Sequence, residues 1–485
     1  MTLSDFDSWY KTRYRRTSSI LTTTAFIFSD LFAVLLSFAA GFFCIRIFGF
    51  ITDNGGIINA KSFITYWPYL PVFILLFQIH RLYPGVSLAP SEEMRRFFIS
   101  SLIAYTGIIM SRIVEYVIWD AINTAFLISF AFSTLILLVF RSLTHWFLHA
   151  TKLGGIPTVI FGSGTTGKLV ANCLLGSLRT GYVPVLILDD KPEGDNEYKN
   201  IPIIHDTSLG PEIVKRFHIK MAIVAMPKLD AKELKTLLNK SVYAFRYNVI
   251  IPNFFSISSI WMSVRDFNGV LGIDTSNKFR ISFNHGIKRF MDLFVVILGG
   301  LVISPFLLLI ALIIKISSPG PVLYKQKRLG KNGVPFFTYK FRSMTVDAET
   351  KLDKLLKTDP QLMKEWKESH KLHKDPRITG IGKILRRTSI DEFPQLINIL
   401  KGEMSLVGPR PIVEAEVEKY GEDYQRVFSI KPGLTGMWQV SGRSNTYYLD
   451  RVAYDVYYLQ SWSVWLDLWI IFKTFGVVII GKGAY

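Results

Sequence analysis

In the stretch RRTSIDEFPQL, residues 386–396, two adjacent carboxylates, Asp391 and Glu392, follow Arg386 and Arg387. Neighbouring carboxylates can hold a divalent ion, and one of them can act as an anionic nucleophile at phosphorus. Ser389 and Glu392 also have the spacing of a capping box, which makes the segment a plain helix start. Pro394 suits a first helical turn and puts both acids at or just before the helix N-terminus, where exposed N–H groups favour phosphate or a metal phosphate. Spacing alone leaves both readings open. The surrounding region, 321–443, carries YKQKRLGKNG, FFTYKFRSM, KDPRITG, GEMSLVGPRP and KPGLTGMWQVSGR. Arg377, Arg410 and Arg443 stand directly beside Gly or Pro. The planar guanidinium fork binds phosphate bidentately and rigid turns hold it in place, so this set suits a diphosphate substrate better than a solvated face.

Such a site needs elements to position it, and much of the chain is too apolar for water. Of 485 residues, 49% are hydrophobic, 14% aromatic and only 19% charged, with a mean hydropathy of +0.29. These values indicate a membrane protein of several domains. The formal charge of +18 on so apolar a chain points to anionic head groups or phosphorylated substrates ahead of nucleic acid. Cys44 and Cys173 form no CxxC and no metal spacing, and His370 with His373 reads as a solvated helix face in a lysine-rich stretch.

Four apolar segments, near 19–45, 65–80, 97–118 and 122–140, predict a four-helix transmembrane bundle over residues 1–150. Arg141 and Lys152 after the fourth span, with the basic residues ahead of the first, place both ends in the cytoplasm. IPTVIFGSGTTGKLVANCLL (156–175) and the strands after it predict a Rossmann-like α/β domain over 151–275. Its Gly162, Gly164 and Gly167 form GxGxxG after a strand, a candidate nucleotide site, with Asp189 or Asp190 ending the next strand. A Tyr-x-x-x-Lys pair is missing from this section, which counts against a membrane nucleotide-sugar dehydratase and favours a structural or regulatory domain.

From 282 to 318 the chain meets the membrane again, and Ser304 and Pro305 lie inside the apolar run from Leu293 to Ile314. Lys288 and Arg289 flank one side of the run, Lys315 and Lys325 the other. Both ends therefore belong on the cytoplasmic face, and the proline removes one helix hydrogen bond while the serine can satisfy the freed carbonyl. This reads as a re-entrant membrane helix bent at Ser304–Pro305, against a proline-kinked span as the alternative. The remainder, 319–485, reads as a mixed, mainly α domain on the cytoplasmic face. It ends in an interfacial amphipathic helix with Trp462, Trp465 and Trp469 around Asp467 and Lys473.

KFRSM, DPRIT, SIDEFPQL, MSLVGPRP and KPGLTGMWQVSGR together resemble the bacterial polyprenyl-phosphate sugar-1-phosphate transferases, large monotopic phosphoglycosyl transferases that begin O-antigen, capsule and exopolysaccharide repeat units. The motifs span about 285–485, and the bundle and α/β section match the family's long form. The resemblance implies that Asp391 is the nucleophile toward a UDP-hexose and that Glu392 assists through Mg²⁺ or as a base. UMP would leave, and undecaprenyl phosphate would take the hexose-1-phosphate, galactose ahead of glucose. It implies Mg²⁺ as cofactor on Asp391 and Glu392 and an inner-membrane location, and it matches the Ser304–Pro305 pair. Lys340, Arg342, Arg377, Arg386 and Arg410 are the candidates for substrate or lipid phosphate. A homodimer is the expected assembly. A non-enzymatic scaffold would have no need of this clustering.

Overall fold

The computed structural model describes residues 3–14, 19–51, 66–85, 89–116, 121–151, 154–176, 181–190, 196–251, 263–267, 270–274, 282–345, 348, 350, 352, 375, 377–441 and 448–480. They fall into two units, Met1–Phe254 and Phe255–Tyr485.

The first unit opens with helices α1 (Leu3–Tyr14), α2 (Ser19–Ile51), α3 (Leu70–Ile79), α4 (Pro90–Tyr116) and α5 (Ala121–Ala150). A span needs about 20 residues, and α2, α4 and α5, with 33, 27 and 30, exceed that. Helix α3 has 10. Among the described residues the expected four spans are therefore three long helices and one short one, which a 3-10 turn (Trp67–Tyr69) precedes, residues 52–65 lying outside the description. Aromatic side chains fill the space between helices, with Phe38, Phe73, Tyr105 and Phe126 in edge-on or tilted contact. One charged cluster is buried among them. Arg141, counted above as a cytoplasmic flank charge, is fully buried and forks onto Asp30, Nε to Oδ1 at 3.0 Å and Nη2 to Oδ2 at 2.8 Å. Tyr83 donates to the same carboxylate, and Phe26 and Phe97 lie against the guanidinium. This bidentate pair ties α2 to α5, so Arg141 does not serve as a topology signal.

After α5 comes a sheet of β1 (Ile156–Phe161), β2 (Tyr182–Leu188), β3 (Glu197–Tyr198), β4 (Ile201–Ile204), β5 (Met221–Val224) and β6 (Tyr247–Ile250). The order is β3-β4-β2-β1-β5-β6, parallel except at edge strand β3. Helices α6 (Thr165–Gly176), α7 (Gly210–Phe217) and α8 (Ala231–Lys240) connect its strands. Near-continuous Val, Ile and Leu in β1 and β2 follow from burial on both faces. Phe6 of α1 is fully buried in this core against Phe217, so the first helix packs with the sheet even though it precedes the bundle in sequence.

The second unit has a hairpin of β7 (Ser263–Phe267) and β8 (Val270–Asp274), then α9 (Ser282–Ser317). Thirty-six residues long, α9 stays helical through Ser304 and Pro305. Pro305 has no N–H for the carbonyl of Leu301, and the Ser304 hydroxyl donates to that carbonyl at 2.9 Å instead. Any change of direction here is a bend within a helix, not a loop. Leu301, Val302, Leu308 and Ile316 are exposed, while both ends of α9 pack on the rest of the unit. Near its start, Asp292 accepts from the Ser405 hydroxyl and the Leu406 N–H, and Lys288 pairs with Asp467. Near its end, Ile310 and Ile314 are buried with Phe341 and Leu385.

The rest of the unit comprises hairpin β9 (Leu323–Leu329) and β10 (Pro335–Phe341), α10 (Gly380–Arg387), a 3-10 turn Ile390–Gln395, α11 (Leu396–Lys401) and β11 (Ser405–Val407). It closes with α12 (Asp423–Val427), β12 (Gly433–Thr435), α13 (Met437–Ser441), α14 (Tyr448–Ser461) and α15 (Val464–Ile480). Asp467 of α15 departs from the interfacial reading. It is fully buried, bonded by Lys288 at 2.7 Å, Tyr458 at 2.7 Å and Trp462 at 3.1 Å. The helix thus uses its acid to hold α9 rather than to face water.

Candidate active site

Ser389 has a φ of +57°, a left-handed conformation in which a side chain is uncommon. It separates α10 from the 3-10 turn and caps nothing with its side chain. The capping-box alternative does not hold, because Glu392 instead reaches across to β10 and accepts from Lys340 Nζ at 2.6 Å. Pro394 sits inside the turn, as its fixed φ allows.

Lys340 is held by its strand. Its neighbour Tyr339 donates its N–H to Asn398 Oδ1, and Asn398 Nδ2 donates to Phe337 O, so one fully buried asparagine ties α11 to β10. Beside them the backbones of Gly408 and Gly433 meet so closely that a Cβ on Gly433 would lie 2.1 Å from the Gly408 N. That approach brings the GPRP loop, and Arg410 with it, against β12. Arg328, Lys340, Glu392, Arg410 and Gln439 line a narrow cleft of about 20 Å³. Gln439 donates from Nε2 to Leu434 O, while its Oε1 has no partner among the described residues.

The two acids titrate apart. Burial, and then the negative charge of Glu392, push the Asp391 carboxyl up to about 6 against the pull of Lys340 and Arg386. For Glu392 burial acts upward, but Lys340, Arg410 and Arg328 outweigh it and hold the carboxyl below its usual range. One member is a fixed anion and the other a carboxylate whose charge is available near neutral pH.

Of the expected phosphate ligands, Lys340 and Arg410 line the cleft and Arg386 faces Asp391, its Nε donating to Ser343 Oγ at 2.9 Å. Arg377 is turned aside and forks onto Asp375, at 2.8 and 2.6 Å. Arg342 is buried, giving Nη2 to the carbonyl and hydroxyl of Ser318, just past the end of α9. Its Nε and Nη1 have no partner among the described residues. Arg443, His370 and His373 lie outside those residues. Sequence reasoning missed Gln439 and the positioning residues Asn398 and Asp292. The motif holding Gln439 was visible, but nothing local marks a buried asparagine as a brace.

In the α/β domain, Gly162 has a φ of +111° and a Cβ on Gly167 would lie 1.9 Å from the Gly162 carbonyl oxygen. Gly164 has open space. The loop is therefore the tight strand-to-helix turn the spacing predicts. Its Ser163 N–H and hydroxyl both donate to Asp189 Oδ2, at 2.7 and 2.8 Å. Asp189, the acid that ends the next strand, is thus held against the glycine turn.

Comparison with known proteins now decides the family. The bacterial sugar transferase model matches residues 283–481, which hold every element of the cleft. An undecaprenyl-phosphate galactose phosphotransferase of Salmonella typhimurium is 33% identical over 77% of this chain and 78% of its own length. The chain belongs to the bacterial sugar transferase family. An uncharacterized sugar transferase of Haemophilus influenzae is 34% identical over 79% of this chain and 80% of its own. A UDP-glucose:undecaprenyl-phosphate glucose-1-phosphate transferase of Escherichia coli is 36% identical over 56% of this chain and 58% of its own. A CoA-binding domain model matches residues 85–243 of the transferase, a range that includes the glycine turn. With four helices among the described residues long and apolar enough to cross a bilayer, the transferase is a membrane protein.

Proposed function

We propose that this transferase moves hexose-1-phosphate, best galactose, from a UDP-hexose to undecaprenyl phosphate through a covalent intermediate on Asp391. A carboxylate oxygen of Asp391 attacks the β-phosphorus, the bond from that phosphorus to the bridging oxygen breaks, and UMP leaves with that oxygen. The sugar phosphate remains as an acyl phosphate. A phosphate oxygen of the lipid then attacks the same phosphorus, giving undecaprenyl-diphosphate-hexose and restoring the carboxylate. The observation that carries this reading is Asp391, pushed up to about 6, beside a Glu392 held charged by Lys340 at the edge of a cationic cleft.

Asp391 and Glu392 are two hard oxygen donors, which suits Mg²⁺ shared with substrate phosphates rather than an all-protein cage. They would hold the ion, and it would supply neutralisation of the diphosphate charge. Arg328, Lys340 and Arg410 would bind the donor diphosphate, and Gln439 Oε1 would accept from the donor's N–H or O–H groups. Arg342, with two free donors at the exit of the membrane helix, is our candidate for the acceptor phosphate. Galactose is favoured because the Salmonella relative acts on it by name across most of both chains. The Escherichia coli relative makes glucose the second sugar to test. No step runs through the α/β domain.

The same reading takes α9 as re-entrant, with the catalytic domain on the cytoplasmic face of the inner membrane. Straight, its 36 residues would reach about 54 Å, more than a bilayer's hydrocarbon. Yet Asp292 and Ile310, either side of Ser304–Pro305, both pack on one domain, which supports two ends on one side of the membrane.

The test is a quenched reaction of the full-length enzyme with Mg²⁺ and UDP-galactose, followed by mass analysis. A phosphohexose adduct on Asp391 is expected, lost in Asp391→Asn along with UMP release. Normal turnover by Asp391→Asn would sink the mechanism. A cysteine placed at Leu323 should resist periplasmic labelling, and labelling there would restore a straight span.

A further inference from the structure

A second cationic cavity lies apart from the catalytic cleft and shares none of its lining residues. It has a volume of about 140 Å³ and is walled by His285, Arg289, Asp292, Lys331, Ser405 and Lys431 at the first turns of α9. Lys288 also faces it but is already paired with Asp467. Arg289 donates to the carbonyls of Ile399 and Leu400 at the end of α11, which fixes its position and leaves its charge on the wall. The carboxylate of Asp292 is taken by Ser405 and Leu406. Three permanent cations therefore face one committed acid. Burial, and then the neighbouring Arg289 and Lys331, hold the Lys431 ammonium below its usual range against the pull of Asp292, as expected where cations outnumber the acid.

The cavity opens where the apolar run of α9 begins. Phe290 and Phe294, stacked one turn apart at 6.1 Å, are 71% and 55% exposed, and Ile297, Leu298 and Leu301 continue that surface. We propose that this cavity binds the headgroup phosphate of an anionic phospholipid whose acyl chains enter the bilayer beside α9. Cations supply the charge, and the position of the cavity at the start of the apolar helix His285–Ser317 favours a lipid headgroup over a soluble phosphate. The site holds whether α9 turns back or crosses, since its start lies at headgroup depth in both cases.

The experiment uses the full-length transferase in non-ionic detergent, titrated with phosphatidylglycerol and phosphatidylcholine of the same acyl chains, with bound lipid counted by native mass spectrometry. The wild type should prefer phosphatidylglycerol, and Lys331→Gln with Lys431→Gln should reduce that preference by about fivefold for each cation removed. The control Lys232→Gln with Lys235→Gln, on exposed positions of α8, should leave it intact. An unchanged preference in the first double variant overturns the proposal. Displacement of phosphatidylglycerol by millimolar inorganic phosphate would assign a free-anion site and overturn the lipid assignment.

Discussion

Lys340 Nζ donates to Glu392 Oε1 across 2.6 Å, and that bond joins β10 to the turn that carries Asp391. It holds Glu392 charged, and the resulting anion helps keep Asp391 protonated to a higher pH than an ordinary aspartate.

Activity should therefore have an acid limb near pH 6, the value to which Asp391 is raised. In the proposed mechanism the nucleophile is the carboxylate, so kcat/KM should fall about tenfold per pH unit below that point. Glu392→Gln removes a like charge and should move the limb to lower pH. Lys340→Met removes the cation that opposes the rise and should move it up. UMP release followed across the limb checks both directions, and equal limbs in the two variants would contradict the coupling.

Asp455 makes a separate pH prediction, this one for stability. Burial raises its carboxyl to about 7 from 3.8, with Tyr420 donating to Oδ2 at 2.9 Å. The fold favours the protonated form, so its contribution is complete below pH 3.8 and is lost as pH rises through 7. Asp455→Asn keeps an acceptor for Tyr420 and cannot ionise. Melting temperatures from about pH 5 to 8 should fall less steeply in this variant than in the wild type.

Ser304 and Pro305 should be coupled. Ser304→Ala leaves the Leu301 carbonyl without its donor and should lower stability by about 1 kcal/mol. Adding Pro305→Ala restores an N–H to that carbonyl, so the double variant should be more stable than Ser304→Ala alone. Thermal melts in detergent measure the difference, and additive effects would argue against the bond.

Removing either Asp30 or Arg141 strands a buried charge. Glu93 lies 3.6 Å from the same guanidinium and is also buried. Arg141→Met alone should cost about 3–5 kcal/mol, whereas combining it with Asp30→Leu and Glu93→Gln should recover much of that loss. Equal stability of the single and combined variants would show that the cluster is not the unit that matters.

The reactive region was legible because its chemistry is local. Asp391 and Glu392 are adjacent, and the motifs around them name the family before any fold is known. The α/β sheet was readable too, since buried parallel strands must be runs of Val, Ile and Leu. Less legible was which arginine does what. Arg377 and Arg410 look alike in sequence, each beside a proline, yet one is spent on Asp375 and the other lines the cleft.

The sequence by itself determined the family and the membrane character and singled out the adjacent acids of the proposed site, because composition, hydropathy and short motifs are local properties. Only the tertiary structure decided which charges are free. Arg141 and Lys288 both read as cytoplasmic flank cations, but Arg141 is matched by Asp30, 111 residues away, and Lys288 by Asp467, 179 away. Charge counted along a chain becomes a signal of topology or binding only when no distant partner neutralises it. Packing alone supplies that partner, as it does for Arg141 and Lys288 and, among the described residues, does not for Lys331 and Lys431 around the second cavity.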